Sequence, residues 1–257
     1  MEILVCVKRV PATGGRITLT PDGQEIDTRY LGFTISPHEE CGVEEAVRIV
    51  EAQGGSTAVL TLGPVAAEEQ LRDAMAVGID RAILLETDGR EFDPVATAAA
   101  IVEAVRAQEA SRTPFDLLMF GTEAADTGDF QVGIRVAVAL GRPIVSGIKS
   151  LTLRDGMVMA RREAPGGGWE TCEVPLPAVV SVKEGLNLPR YPSVPGRLRA
   201  KRREIERMTP AWSQTGPVKL GLRVPQTEGA PVEILGRGPE AAPAIVDLLE
   251  RIGVLAS

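Results

Sequence analysis

Apolar positions along the first two thirds of the chain follow two alternating rhythms. Short, unbroken apolar runs at 3–7, 57–62, 81–85 and 115–120 have the length and composition of buried strands. Between them apolar residues recur at helical spacing. One such segment is 37–52, with Val43, Ala46, Val47 and Val50 on one face; a second is 66–77, stopping at Gly78; a third is the alanine-rich 93–108. After 115–120, Gly121 opens a polar loop leading to a fourth helix that ends near Leu140-Gly141. Parallel strands need crossovers and these helices supply them, so the predicted class is α/β, a mostly parallel sheet with helices on both faces.

The rhythm changes after residue 150. Residues 151–159 alternate around Asp155-Gly156, a hairpin signal, and 165–168 form a further turn before a short strand at 170–174. The apolar run 178–182 returns to the sheet. Three prolines between 188 and 195 preclude a regular helix there, whereas the basic segment 197–207 is predicted helical. Residues 210–239 are rich in proline and glycine without periodicity and read as an extended arm. Residues 242–252 form an amphipathic helix carrying Ile245, Val246, Leu248, Leu249 and Ile252. The expected organisation is an α/β domain at 1–209 and an arm with a terminal helix at 210–257, which needs something else to pack against.

Composition narrows the chemistry. The formal net charge of −7 and pI near 5.0 disfavour nucleic acid and anionic membrane as partners. No stretch reaches the roughly 20 apolar residues that span a bilayer. Residues 1 and 2 run straight into the strand at 3–7, leaving no room for a targeting peptide, so a bacterial cytoplasm is the expected location. Three cysteines, Cys6, Cys41 and Cys172, lack metal-ligand spacing and suit a reduced compartment. The single histidine, His38, reads as a solvated residue at a helix start, and nothing around it resembles a nucleophile elbow.

In open α/β sheets ligands bind beyond the carboxyl ends of the strands. Residues 7–11, the turn at 35–39 and the loop 121–133 converge there. Ser36-Pro37-His38-Glu39 has the form of a capping box with proline at the first helical position. The loop Gly-Thr-Glu-Ala-Ala-Asp-Thr-Gly-Asp-Phe-Gln-Val-Gly carries neither a Walker motif nor a dinucleotide fingerprint, but its small residues and following helix suit a phosphate. A nucleotide site and an ordinary glycine-rich loop both remain open at this point.

Four stretches together resemble the beta subunit of electron transfer flavoproteins over nearly the whole chain. They are Val5-Cys-Val-Lys-Arg-Val-Pro11; Ser36-Pro37 followed by Val43-Glu-Glu-Ala-Val47; Gly121…Ala124-Ala-Asp126…Gln131-Val-Gly133; and Leu176-Pro-Ala-Val-Val180 with Leu186-Asn-Leu-Pro-Arg-Tyr-Pro-Ser-Val-Pro195 and Ala200-Lys-Arg-Arg-Glu-Ile205. The resemblance implies an adenine-nucleotide alpha-hydrolase-like core and a heterodimer whose alpha subunit holds most of one FAD. It implies a carrier rather than an enzyme, taking electrons from acyl-CoA or related dehydrogenases, as in fatty acid beta-oxidation, and passing them to a membrane quinone oxidoreductase. A structural AMP is expected around Cys6, Ser36, Pro37, His38, Glu39, Leu62, Gly121, Asp126, Thr127, Gly128, Asp129, Phe130, Gln131 and Val132. The 186–195 loop is expected to dock dehydrogenases, with Arg190 and Tyr191 in its Pro-Arg-Tyr motif and Val194 at the position of the family's anchoring leucine. Arg199 and Lys201 would steer acidic partners. Ser36 departs from the usual asparagine, His38 from an aromatic residue, and Val194 loses one methylene, about 0.8 kcal/mol if buried. Gln131-Val-Gly133 also occurs in relatives that bind a second FAD here and bifurcate electrons. A universal-stress-type nucleotide sensor and a pyrophosphate-splitting hydrolase are the rivals; the basic segment and the arm disfavour the first, the missing phosphate-loop signature the second.

Overall fold

A computed structural model describes residues 1–12, 14, 17–211, 216–225 and 232–255, which divide into two compact units, Met1–Gly221 and Leu222–Ser257. The first unit contains β1 (Glu2–Val7), β2 (Val10–Pro11), β3 (Phe33–Thr34), α1 (Pro37–Gln53), β4 (Ser56–Gly63), α2 (Glu68–Val77), β5 (Arg81–Glu86), α3 (Pro94–Ser111) and β6 (Leu117–Gly121). It continues with α4 (Val132–Leu140), β7 (Ile144–Arg154), β8 (Met157–Glu163), β9 (Trp169–Pro175), β10 (Ala178–Val182), α5 (Val194–Arg202) and β11 (Ile205–Met208).

A nine-stranded sheet runs β11-β5-β4-β1-β6-β10-β7-β8-β9. It is parallel from β11 through β7, and β8 and β9 add an antiparallel edge. Strand alternation sorts the core into two layers. Ile3, Val5, Val7, Val59 and Met119 pack with residues of α1, α2 and α5, whereas Leu4, Cys6, Leu60, Phe120 and Val179 pack with α3 and α4. Both faces are covered, which is why the parallel strands read as continuous apolar runs.

The helix start at 37, the hairpin at Asp155-Gly156 and the return of 178–182 to the sheet agree with the sequence pattern. The segment 197–207 does not. Its helix begins earlier, at Val194, with Ser193 as the N-cap and Pro195 in the first turn, where a proline's missing N–H costs nothing. It ends at Arg202, and Ile205–Met208 becomes an edge strand on β5. Ile205 is buried there, and Arg207 pairs with Glu86 and Glu68. Burial against an otherwise open sheet edge outweighs the helical propensity of a basic run. The ribbon β2–β3 and the first half of β7 carry no periodic signal and were not predicted.

The second unit contains a short 3-10 turn, Gly238–Ala241, and α6 (Ala242–Arg251). No described α6 residue is buried, and Ile245, Val246 and Ile252 are exposed. Of the expected arm, residues 212–215 and 226–231 lie outside the described residues, and the described remainder before Gly238 has no regular secondary structure.

Candidate functional site

The chain leaves β1 toward β4 and β5 on one side and later fills β6, β10 and β7 on the other. The connections after β1 and β6 therefore diverge, and this switch point, beyond their carboxyl ends, is where open α/β sheets form a ligand crevice. Three segments meet around it. They are the turn at Lys8-Arg9 after β1, the first turn of α1, and the loop from Gly121 to α4.

Glu39 ties the first two together. Its Oε2 accepts the Ser36 backbone N–H at 3.0 Å and its Oε1 accepts the Lys8 backbone N–H at 3.0 Å, while its own N–H donates to Ser36 Oγ at 3.3 Å. The capping box is thus complete, and its carboxylate also fixes the turn after β1. Burial pushes the Glu39 carboxyl up to about 8, against the hydrogen bonds from Ser36 and Lys8. The third segment packs on the same side chain: a Cβ at Gly121 would fall 2.8 Å from Glu39 Cγ, so a larger residue at the end of β6 would displace Glu39.

His38 joins the crevice to the far side of the loop. Its Nδ1 accepts the Glu184 backbone N–H at 2.7 Å, so Nε2 carries the proton toward Glu123 Oε1 at 3.4 Å. The residue is half-buried, and the expectation of a solvated histidine is corrected: chain segments 146 and 85 residues away claim both ring nitrogens.

The loop itself is closed by Lys8 Nζ, 2.8 Å from Asp126 Oδ2. Gly128 and Phe130 both take positive φ, 58° and 57°, and the Phe130 ring is half exposed. A left-handed phenylalanine is strained, a feature that clusters at binding sites. Gln131 then begins α4 without a side-chain cap, because its Oε1 accepts from Arg135 Nε at 2.8 Å instead. The first N–H groups of α4 are therefore left without a side-chain acceptor, at the positive end of the helix dipole. The helix start expected just after Gly128 lies at Val132.

Cys6 and Leu62 lie on the sheet face beneath α3 and α4. Burial, and next the nearby Glu39, push the Cys6 thiol up, which makes it a packing group and not a nucleophile. The uncapped backbone donors at the start of α4 suit a phosphate. Asp126 already neutralises Lys8, so backbone donors would carry the phosphate. Two grooves lie elsewhere, one of about 480 Å³ between α3 and α4, the other of about 560 Å³ between α1 and β7, reaching Arg190.

The expected docking residues form a second group. Tyr191, Leu188 and Val194 are 96%, 90% and 72% exposed, and Leu198, Arg199 and Lys201 are exposed on α5. Val194 belongs to the first turn of α5 and not to the loop. Arg190 reaches back onto α1, its guanidinium gripping Glu44 and Glu51. Lys8 and Glu123 lie in segments expected to converge here, but the sequence marks no role for them or for Glu184, Glu44 and Glu51. Their roles depend on partners 31 to 146 residues away that no local pattern marks.

A model of the electron transfer flavoprotein domain matches residues 25–212. The chain is 34% identical over 235 residues to the electron transfer flavoprotein subunit beta of Syntrophomonas wolfei, covering 91% of this chain and 90% of that protein. It is 33% identical over 210 residues to the subunit beta of Bacillus subtilis, covering 81% and 79%. To that of Thermoanaerobacterium thermosaccharolyticum it is 32% identical over 263 residues, covering 97% and 98%.

Proposed function

The chain belongs to the electron transfer flavoprotein family, and on that premise we propose that it is the beta subunit of a heterodimeric electron carrier and has no catalytic turnover of its own. The observation that carries this reading is the end-to-end correspondence with beta subunits. An alpha subunit holds most of one FAD, and that flavin, when bound, supplies the redox chemistry. This chain contributes a nucleotide crevice, a docking surface and an arm.

In the crevice, the turn after β1, the first turn of α1 and the loop 126–132 would hold AMP, and the uncapped N–H groups at the start of α4 would take its phosphate. Glu39 holds the turn after β1 against α1, and His38 holds the loop through Glu123. AMP acts by mass action on the folded state: at 100 times its dissociation constant a ligand adds about 2.7 kcal/mol. At the docking surface, Tyr191 and Val194 enter an apolar groove on acyl-CoA or related dehydrogenases, while Arg199 and Lys201 raise the encounter rate with acidic surfaces. Electrons leave to a membrane quinone oxidoreductase. Among the described residues no helix is long and apolar enough to cross a membrane. The apolar face of α6 packs on the alpha subunit, as exposed faces of this kind mark interfaces.

Co-expression with a candidate alpha subunit tests the reading. A yellow 1:1 complex is expected. A colourless homodimer that binds ATP would replace the carrier with a nucleotide sensor.

A further inference from the structure

The segment between β10 and α5 has two faces of opposite character. Leu186 packs on the core, Asn187 and the partly exposed Arg190 reach back onto α1, and Leu188, Tyr191 and Val194 stand in solvent. An exposed, apolar, proline-rich stretch would ordinarily sample many conformations, and ordering it on contact costs binding free energy. Here it is bolted to α1 at two points. Asn187 Nδ2 donates to the Cys41 carbonyl at 3.0 Å and to Glu45 Oε2 at 2.9 Å. Three residues on, the Arg190 backbone N–H donates to Glu44 Oε2 at 3.1 Å. The guanidinium then spans two carboxylates: Nε is 2.9 Å from Glu44 Oε2, Nη2 is 3.0 Å from Glu44 Oε1 and 2.9 Å from Glu51 Oε2, and Nη1 is 2.7 Å from Glu51 Oε1. Glu44 and Glu51 are two helical turns apart on one face, and Glu44 is 4% exposed. Only a planar fork makes this double bidentate grip; lysine does not.

We infer that Arg190 is a positioning residue: with Glu44, Glu51 and Asn187 it holds the segment as a rigid platform that presents Leu188, Tyr191 and Val194 to a partner. Arg190 acts through this grip, holding the segment for the residues that meet the partner. The platform's use rests on the docking reading proposed above; the clamp does not. A second consequence follows from the mount. The first turn of α1 lines the crevice and its second and fourth turns carry the clamp, so one rigid helix supports both regions.

The test uses the complex with the alpha subunit. Arg190→Gln leaves Glu44 buried without its cation, so Arg190→Gln/Glu44→Gln is made beside it to remove that penalty. Hydrogen exchange is measured at the residue-190 amide, whose N–H donates to Glu44 Oε2, and KM and kcat with a cognate dehydrogenase at varied carrier concentration. Both variants should speed exchange at this amide at least tenfold, leave the sheet unchanged, and raise KM several-fold at constant kcat. Arg190→Lys should recover only part of either effect. Tyr191→Ala should raise KM without changing exchange. Wild-type exchange at residue 190 in both Arg190→Gln variants would overturn the inference, as would an unchanged KM in them where Tyr191→Ala raises it. Faster exchange with KM insensitive even to Tyr191→Ala would sink the docking reading and leave the clamp standing.

Discussion

Replacing Gly196 with alanine probes how α5, and with it the exposed ridge at Tyr191 and Val194, is seated. A Cβ at this position would lie 2.4 Å from the Ala76 carbonyl oxygen at the end of α2 and 3.1 Å from Ser193 Oγ. The first neighbour is backbone and cannot rotate away, so α5 must lift from α2 by about an ångström. Overpacking costs typically ~1–3 kcal/mol, and a backbone clash this close belongs at the upper end. Alanine returns about 1 kcal/mol through its helix propensity, leaving a net loss of about 2 kcal/mol. For a chain of this size that lowers the melting temperature by roughly 4–8 °C. Gly32→Ala is the control, since its Cβ would meet nothing within 4 Å and its φ is not left-handed. Thermal unfolding of the two variants and the wild type, followed by circular dichroism at equal concentration, gives the comparison. A Gly196→Ala protein melting within a degree of the control would show that α5 does not sit against α2 as described.

Three further outcomes are expected. Between pH 4.5 and about 8 the folded Glu39 carboxyl keeps a proton that the unfolded chain has lost, so its contribution is complete below 4.5 and fades as the pH rises. Wild type should accordingly lose stability relative to Glu39→Gln across that window in denaturant titrations, and a constant gap would mean that the two N–H donors keep the carboxylate ionised. Val194→Ala removes two methyl groups, about 1.6 kcal/mol if they are buried in a partner, so KM with a cognate dehydrogenase should rise about 15-fold; unchanged kinetics with every partner would make Val194 ordinary surface. Lys8→Ala breaks a partly exposed pair with Asp126 worth ~0.2–1 kcal/mol, so AMP retention measured by dialysis should weaken no more than about fivefold, and a loss above tenfold would place the ammonium on the phosphate itself.

What was legible in the sequence is what repeats locally. Buried runs such as 3–7 and 178–182, the capping box at Ser36 and Glu39, and the Asp155-Gly156 turn each carry their signal within a few residues, and the sheet uses all of them. The crevice was legible as a meeting of three segments because parallel strands send their following loops to one side. The 205–208 strand was not, since its reason is the unpaired edge of β5 more than a hundred residues earlier. Nor was the grip of Arg190 on α1, because Glu44 and Glu51 read on their own as two ordinary acidic residues of a surface helix. His38 misled for the same cause: its partners, Glu123 and Glu184, lie far along the chain.

The central claim is that this chain completes a flavin carrier and holds AMP in the crevice at the switch point. Quantifying the nucleotides released from the purified complex with its alpha subunit, by chromatography and mass spectrometry, tests it most directly. The account predicts one FAD and one AMP per heterodimer. Two FAD and no AMP would replace the structural nucleotide with a second flavin and make the complex a bifurcating one; no flavin at all would contradict the carrier reading itself.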